Sequence, residues 1–294
     1  MRQNWHLGAA LFFGLLAVGI PAAASQNISV NTRNEPLERC DQLEVTYDSR
    51  PAARGEQQLS VPVADAPALT VSPPENGGVH VVGWDRPEYA ITACKAAPTA
   101  AAVEGIEVSV SRGVVSATGP SSGRWVVYLI VKAPARADLT LKTTNGPISV
   151  AGVSGSVHAR TTNGPIGLKD SGGRIDARAQ NGPVSFSGRG GEVSLTAVNG
   201  PINVRLDGDR WQDGSLAARA ENGPVHVRVA ENYRSGVRVE SSGHSPWSCK
   251  GEACRAGRKD WDDRGRSVEL GTGPTVVRIS TLNGPVAISS PSDK

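Results

Sequence analysis

The sequence repeats one tripeptide, Asn-Gly-Pro, at a fixed interval, and this feature constrains the fold more than any other. The six copies begin at Asn145, Asn163, Asn181, Asn199, Asn222 and Asn283. Successive copies are separated by 18, 18, 18, 23 and 61 residues. A constant period indicates units that each form one small structural element and pack against their neighbours along the chain.

Each unit predicts two short strands. An alternating triplet follows the tripeptide, as in Ile148-Ser149-Val150. A second alternating segment precedes it, with apolar or small residues two, four and six positions before the Asn, as in Val157, Ala159 and Thr161. Alternation with period two is typical of a strand that buries one face.

The tripeptide itself is suited to a corner between strands. Asn and Gly tolerate left-handed backbone conformations, and Pro fixes φ and removes a hydrogen-bond donor where the chain enters the strand. Asn side chains that recur once per unit would lie above one another and form a ladder of amide hydrogen bonds. The six Asn residues are therefore predicted to be structural turn residues.

These features predict an all-β fold, a single-chain β-solenoid with two-strand rungs of about 18 residues. Aromatic residues make up only 4% of the chain, so its core must consist mainly of aliphatic side chains. An antiparallel sandwich is the alternative, because Asn-Gly also begins hairpins. The Pro that follows argues against it, since it would remove a ladder donor at the mouth of the hairpin.

The interval of 61 residues predicts two further rungs in chain order. Alternation at Val237 and Val239 predicts a rung directly after Asn222, and Val268 and Leu270 predict the rung after that. Residues 243–265 would then replace one corner by a long excursion.

The domain organisation has three parts. Residues 1–24 are predicted to be a cleaved signal peptide, because Arg2 precedes an apolar run that ends before the small residues Ala22 to Ala24. Residues 25–135 are a less regular β cap continuous with the stack, and residues 136–290 carry the repeats. The chain is therefore expected to be exported, to the periplasm or the cell surface, with no transmembrane segment after cleavage.

Four cysteines lie beyond the signal peptide, at Cys40, Cys94, Cys249 and Cys254. Export favours disulfides, and four cysteines allow three pairings. Proximity along the chain favours Cys249 with Cys254, and therefore Cys40 with Cys94. A zinc site is the alternative, although the spacing of the second pair is not typical of one, and no metal or other cofactor is expected.

The Asn-Gly-Pro-Ile/Val repeats, the segment Gly83-Trp84-Asp85 and the export signal together resemble the bacterial putative adhesin family of β-strand repeat proteins, formally a domain of unknown function. The resemblance covers most of residues 65–290. It implies a right-handed, β-helix-like single-chain fold in an exported protein. The family offers no catalytic residues to carry over, and its name rests on analogy with other solenoids.

Catalytic patterns are weak. The segment from Gly119 to Gly123 has the spelling of a nucleophile elbow, but it precedes an apolar strand instead of following one, so a turn is predicted. His80, His158 and His226 fall on outward strand positions and are interpreted as surface residues. The chain is therefore predicted not to be an enzyme.

The excursion at 243–265 is the candidate binding loop, through Trp247, Trp261, Arg255 and Arg258. Large aromatic side chains in an aromatic-poor chain indicate contact with a partner. The alternative is that both indoles pack against the corner edge. A column of outward cations at Arg160, Arg178 and Arg219 could also hold an anionic glycan or lipid head group, or be a solvated face.

The function predicted is that of a non-enzymatic, adhesin-like binding or scaffold protein of the cell envelope. Its partner would be an envelope protein or a glycan. Nucleic acid is excluded, because 31 basic and 28 acidic side chains nearly balance. The alternatives are a polysaccharide lyase or hydrolase, and a structural envelope-stress component without a soluble ligand.

Overall fold

The computed structural model describes residues 28–32, 37–121 and 123–290. The predicted signal peptide at 1–24 lies outside these ranges. Within them the chain is all-β, as predicted, with one sheet of 3 strands, one of 11 and one of 12.

Ten strands and a short helix precede the repeats. They are β1 (Ile28–Thr32), β2 (Leu43–Tyr47), β3 (Arg50–Pro51), β4 (Ala53–Pro62), β5 (Ala68–Val71), β6 (Val79–Trp84), β7 (Glu88–Ala97), α1 (Ala100–Glu104), β8 (Glu107–Ser111), β9 (Val114–Thr118) and β10 (Val126–Pro134).

The regular repeats supply the next ten strands. They are β11 (Asp138–Asn145), β12 (Ile148–Ala151), β13 (Ser156–Asn163), β14 (Ile166–Lys169), β15 (Arg174–Asn181), β16 (Val184–Gly188), β17 (Glu192–Asn199), β18 (Ile202–Leu206), β19 (Leu216–Asn222) and β20 (Val225–Arg228).

The C-terminal part adds six strands and a second short helix. They are β21 (Gly236–Ser242), β22 (Trp247–Cys249), α2 (Glu252–Ala256), β23 (Arg258–Trp261), β24 (Gly265–Leu270), β25 (Thr275–Asn283) and β26 (Val286–Ser289).

Consecutive strands of the repeats belong alternately to the two large sheets. Odd-numbered strands from β11 to β19 are parallel neighbours in the 12-stranded sheet, and even-numbered strands from β12 to β20 are parallel neighbours in the 11-stranded sheet. Ile148 pairs directly with Ile166, and Ile166 with Val184, so the predicted stacking of residues one period apart is confirmed. The antiparallel alternative is wrong for residues 138–228, all of which are described, because each strand there pairs with strands of neighbouring repeats.

The interior between the two large sheets is narrow and mainly aliphatic. Inward-facing side chains of both sheets belong to one continuous buried cluster. Phe186 and Trp211 add an aromatic contact, with ring centroids 5.9 Å apart. Trp211 comes from the insertion that lengthens the fourth repeat, and its indole Nε1 donates to the carbonyl of Gly191 at 3.1 Å.

The corners are held together by a ladder of amide hydrogen bonds. Each Asn side chain donates through Nδ2 to Oδ1 of the Asn one rung before it. The distances are 2.8 Å for Asn163 to Asn145, 2.9 Å for Asn181 to Asn163, 2.9 Å for Asn199 to Asn181, 3.2 Å for Asn222 to Asn199 and 3.0 Å for Asn283 to Asn222. Asn145 extends the ladder by donating to Asn76 at 3.2 Å, so the corner of β6 joins the same column.

The glycines of the tripeptide stack just as closely. A Cβ atom added to Gly164 would lie 2.3 Å from the carbonyl oxygen of Gly146, and one added to Gly182 would lie 2.1 Å from that of Gly164. Both distances are far below van der Waals contact, so the close approach of successive rungs requires glycine at this position. The sequence indicated only the conformational part of this requirement.

Strands before the repeats continue both large sheets. β5 pairs in parallel with β11, and β6 pairs in parallel with β12. β10 then lies between β6 and β7. The small sheet of β1, β2 and β3, called here the N-terminal sheet, packs on the outer face of β7 and β10, where Tyr47 donates to the carbonyl of Ala96 at 3.1 Å.

His80 is buried, which corrects its interpretation as a surface residue. It occupies an outward position of β6, but the chain beside the N-terminal sheet covers that position, and its exposed fraction is 0%. The backbone N–H of Leu37 donates to His80 Nδ1 at 3.1 Å. The imidazole stacks on the Tyr128 ring, with the two ring centroids 6.1 Å apart. His158 and His226 are exposed, as predicted.

Burial of His80 makes stability depend on pH. It lowers the pKa of the imidazole to about 4, whereas the unfolded side chain has a pKa of about 6.5. Between these values the unfolded chain binds a proton that the folded chain excludes, so stability must decrease as pH falls through this window, by about 3 kcal/mol in full. Urea unfolding at several pH values measures this slope.

His80→Asn is the matched control for that slope. The Asn side chain carries an acceptor oxygen for the Leu37 N–H but does not titrate, so the stability of the variant should be nearly constant between pH 6.5 and 5.5. Below about pH 5 both proteins also lose the stabilisation from carboxylates whose pKa is lowered, namely Asp176 beside Arg160 and Glu269 beside Arg258 and Arg238. An equal decline in the native protein and the variant would contradict the assignment to His80.

The structure also corrects the predicted order of the last rungs. β19 pairs with β25, and β25 pairs in turn with β21. In the other sheet β26 likewise lies between β20 and β22, while β24 pairs antiparallel with β21. The reason is corner complementarity, because Asn283 extends the amide ladder from Asn222 and the segment after β21 carries no Asn.

Candidate binding site

Residues 243–265 contribute regular structure at the C-terminal end of both large sheets, which corrects their prediction as an excursion that replaces one corner. β22 pairs in parallel with β26 as an edge of the 11-stranded sheet. β23 pairs antiparallel with β24 as an edge of the 12-stranded sheet. Between them, the disulfide Cys249–Cys254 joins the end of β22 to α2.

Both predicted disulfides are present. The second one, Cys40–Cys94, joins the N-terminal sheet region to β7 across 54 residues of sequence. The zinc alternative is excluded for these cysteines because all four are paired with one another.

The two tryptophans of the candidate loop meet at this end of the protein. Trp247 and Trp261 have ring centroids 6.3 Å apart and planes inclined at 45°. Trp247 is half-buried against the core, and its Nε1 donates to Ser241 Oγ at 2.6 Å. Trp261 is 51% exposed, and among the described residues only Val114 and Leu282 are comparable exposed hydrophobic side chains. Trp247 therefore supports the site, and Trp261 presents it to solvent.

Arg266 is a further member of the site that was missed at the level of sequence. Its guanidinium lies 5.3 Å from the centroid of the Trp261 ring, and its Nη1 donates to the carbonyl of Ser245 at 3.0 Å. It is the cross-strand partner of Trp261 in the β23–β24 hairpin. The available signal was the turn Asp262-Asp263-Arg264-Gly265, which would have paired the residues on either side.

This hairpin turn is closed by Asp262. Its Oδ1 accepts from the backbone N–H groups of Arg264 at 2.8 Å and of Gly265 at 2.7 Å. These two hydrogen bonds lower the pKa of the Asp262 carboxyl. The turn therefore fixes the register that places Arg266 beside Trp261.

The two predicted arginines do not join the indoles. Arg258 pairs with Glu269, which also binds Arg238 at 2.7 Å, and the two guanidinium groups lower the pKa of the Glu269 carboxyl. Because Arg258 and Trp261 are three residues apart in one strand, their side chains point to opposite faces. Arg255 is exposed in α2, where it directly follows the disulfide-bonded Cys254. The arrangement thus offers one aromatic face with an adjacent guanidinium, which can contact sugar rings or partner side chains.

In the segment that resembles a nucleophile elbow, the backbone N–H of Gly123 donates to the carbonyl of Pro120 at 3.1 Å, before β10 begins. Trp125 follows this segment, and its indole Nε1 donates to the carbonyl of Pro120 at 3.2 Å. No helix follows this turn. In the parts of the chain that are described, no three or more His, Cys, Asp and Glu residues are grouped so that they could hold a metal ion. Of the helices described, none has the length and apolar character needed to cross a bilayer.

The structure is similar to that of a putative cell adhesion protein from Clostridium sporogenes, with a TM-score of 0.33 and 9% sequence identity, covering 81% of this chain and 100% of that one. It is also similar to a putative adhesin from Bacteroides fragilis, with a TM-score of 0.35 and 9% identity, covering 80% of this chain and 97% of that one. No family model matches the chain, and no curated protein matches its sequence.

Proposed function

We propose that this chain is an exported, non-enzymatic, adhesin-like binding protein of the cell envelope, and that it binds its partner through the aromatic end of its stack. One observation carries the proposal. Trp261 keeps half of its indole in solvent, although Trp247 and Arg266 hold it in place. A large aromatic side chain held rigidly at the surface is typical of an interface hot spot.

A β-solenoid is the architecture proposed for the scaffold. Alternation of consecutive strands between two parallel sheets, pairing of residues one period apart and a single core cluster shared by both sheets all support it. Such a stack changes shape little on binding, so its ends are displayed at a fixed distance and orientation. This rigidity suits a protein that bridges two surfaces.

Export is supported by the two disulfides and by the predicted signal sequence. Disulfides persist mainly in oxidising compartments such as the bacterial periplasm and the cell surface. The Cys249–Cys254 bond lies directly beside the aromatic end and restricts the segment between β22 and α2. In an exported binding protein, this disulfide would hold the segment beside the binding site in one conformation.

Replacing Trp261 by Ala is expected to weaken binding of the purified protein to washed envelopes of its source cells by tenfold or more, as the loss of a hot-spot aromatic side chain of about 2 kcal/mol implies. The fold should persist, because Trp247 keeps its core contacts and its hydrogen bond to Ser241. Binding is measured by sedimentation with the envelopes, and the fold by circular dichroism.

Leu282→Ala is the matched control for this experiment, since Leu282 is 50% exposed and lies in β25, outside the aromatic end. It should bind as the native protein does. Equal binding of the Trp261→Ala variant and the native protein would refute the aromatic end as the site, and equal weakening by both variants would show a nonspecific hydrophobic effect.

A further inference from the structure

A groove of about 610 Å³ crosses the outer face of the 11-stranded sheet and is separated by one strand, β26, from β22. It runs from β6 to β20 across six adjacent strands. With about 4.8 Å between strands, its length is about 24 Å. The floor is a row of small polar positions that recur once per rung, at Ser149, Gly167, Ser185 and Asn203.

The charge of the groove has a single sign. Its ionisable lining residues are Lys169, Arg205, Arg228, His226 and His80, and no carboxylate lines it. Arg205 is neutralised by Asp207, whose carboxylate lies 2.9 Å from its Nε. Lys169 and Arg228 are exposed and make no ion pair within the described chain. The groove therefore complements an anion, although the whole chain is nearly neutral.

His80 lines one end of the groove with an unpaired polar atom. Its Nδ1 accepts the N–H of Leu37, so the neutral imidazole carries its proton on Nε2. That Nε2–H is buried and has no hydrogen-bond partner among the described residues. Because the His80 side chain is wholly covered, this donor does not reach the solvent in the groove, and Lys169 and Arg228 provide the charge complementarity.

We propose that this groove binds a linear acidic polysaccharide that lies across the strands, with its carboxylates at Lys169 and Arg228 and its hydroxyl groups on the polar floor. The floor offers the hydroxyl groups of Ser149 and Ser185 and the amide of Asn203, with an open position at Gly167, and these groups can bond the hydroxyls of a sugar chain. The site is separate from the aromatic end and does not depend on it.

Two other anionic partners fit the groove less well. Single-stranded nucleic acid binds through aromatic side chains that stack on its bases, and the floor presents none, because Phe186 is buried beneath it. A lipid surface would require exposed apolar side chains around the cations, and the neighbouring outward positions are Ser187, Ser289 and Ala151.

The test uses polygalacturonate as the probe and its fully methyl-esterified form as the uncharged counterpart. The native protein should bind the acidic polymer and bind the ester at least tenfold more weakly. The double variant Lys169→Glu/Arg228→Glu should lose at least tenfold in affinity for the acidic polymer. Binding is measured by isothermal titration calorimetry at fixed ionic strength.

Arg136→Glu/Arg174→Glu is the matched control, because it changes the net charge equally at two exposed positions outside the groove. It should bind within threefold of the native protein. Equal losses of affinity in both double variants would show that the groove is not the binding site and that long-range electrostatic attraction accounts for the binding. Absence of binding by the native protein, or tighter binding to single-stranded DNA or to phosphatidylglycerol vesicles, would overturn the ligand class.

Gly167→Gln tests the shape of the site without changing charge. A Cβ atom at Gly167 meets nothing within 4 Å, so the longer side chain can extend into the groove without displacing the backbone. Affinity for polygalacturonate should fall at least fivefold while the melting temperature stays within a few degrees. Unchanged affinity would place the polymer elsewhere.

Discussion

Replacing Gly182 by Ala is expected to lower the free energy of unfolding by about 3 kcal/mol or more, which is an exceptional loss for one added methyl group. The new Cβ would lie 2.1 Å from the carbonyl oxygen and 2.6 Å from the carbonyl carbon of Gly164. Both atoms belong to the backbone of the preceding rung, so no side-chain rotation can relieve the overlap. The rungs must separate at the corner, and this would also lengthen the amide hydrogen bonds of Asn181.

Gly167→Ala is the matched control, because it adds the same methyl group in the same repeat region. Its Cβ meets nothing within 4 Å, and the substitution should change stability by no more than about 1 kcal/mol, in the stabilising direction. Guanidinium unfolding of both variants provides the comparison. Similar losses in the two would show that strand propensity, and not the contact between rungs, determines the requirement for glycine.

Removing the Cys40–Cys94 disulfide is expected to have the second large effect. The bond spans 54 residues, and releasing a loop of this length in the unfolded chain costs about 4 kcal/mol. The loss should be concentrated in the N-terminal sheet, which packs through a small separate cluster containing Leu43, Val45 and Tyr47. In the double variant Cys40→Ser/Cys94→Ser, the rate of amide hydrogen exchange should therefore increase more in β1 and β2 than in the repeats.

The second disulfide supplies the internal comparison. Cys249 and Cys254 are 5 residues apart, so the corresponding double serine variant should lose only about 2 kcal/mol. Its faster exchange should be confined to β22 and α2. If the two variants lost equal stability, or if the first raised exchange uniformly along the chain, loop length and the separate N-terminal cluster would not be the cause.

The register of the repeats could be predicted because one motif carries several independent constraints. Asn145, Asn163 and Asn181 each supply a hydrogen bond to the neighbouring rung, and the alternating residues after them share one buried face. Local signals and long-range pairing coincide here, since every partner lies one period away in the sequence. For this reason the two strands of each repeat, and their parallel pairing with the next repeat, could be predicted from the sequence.

The C-terminal order could not be predicted in this way. The alternation in β21 shows a strand with one buried face but does not specify its neighbour, and two candidates, β19 and β25, bury equivalent aliphatic side chains. The ladder from Asn222 to Asn283 decides between them. The sequence pattern placed the two rungs in chain order, whereas the absence of Asn at the corner after β21 was the informative difference.

His80 shows a second limit of sequence reasoning. Its alternation was interpreted correctly as an outward position, but an outward position is exposed only if nothing covers it. The covering segment near Leu37 is separated from His80 by 43 residues and carries no repeat. Similarly, the indoles could be identified as candidate site residues, while Arg266 required the pairing of β23 with β24.

In the two large sheets β25 and β26 lie between strands that precede them in the sequence, and this order has a consequence for the folding of a chain during its synthesis. A chain that emerges from its amino end can complete the stack as far as β20 during synthesis, but β21 and β22 then have no finished platform to join. Residues 229–272 can take their final positions only after β25 and β26 have been synthesised. The aromatic end can therefore form only after β25 and β26 have been synthesised, and a chain truncated before residue 275 would yield a stack without it.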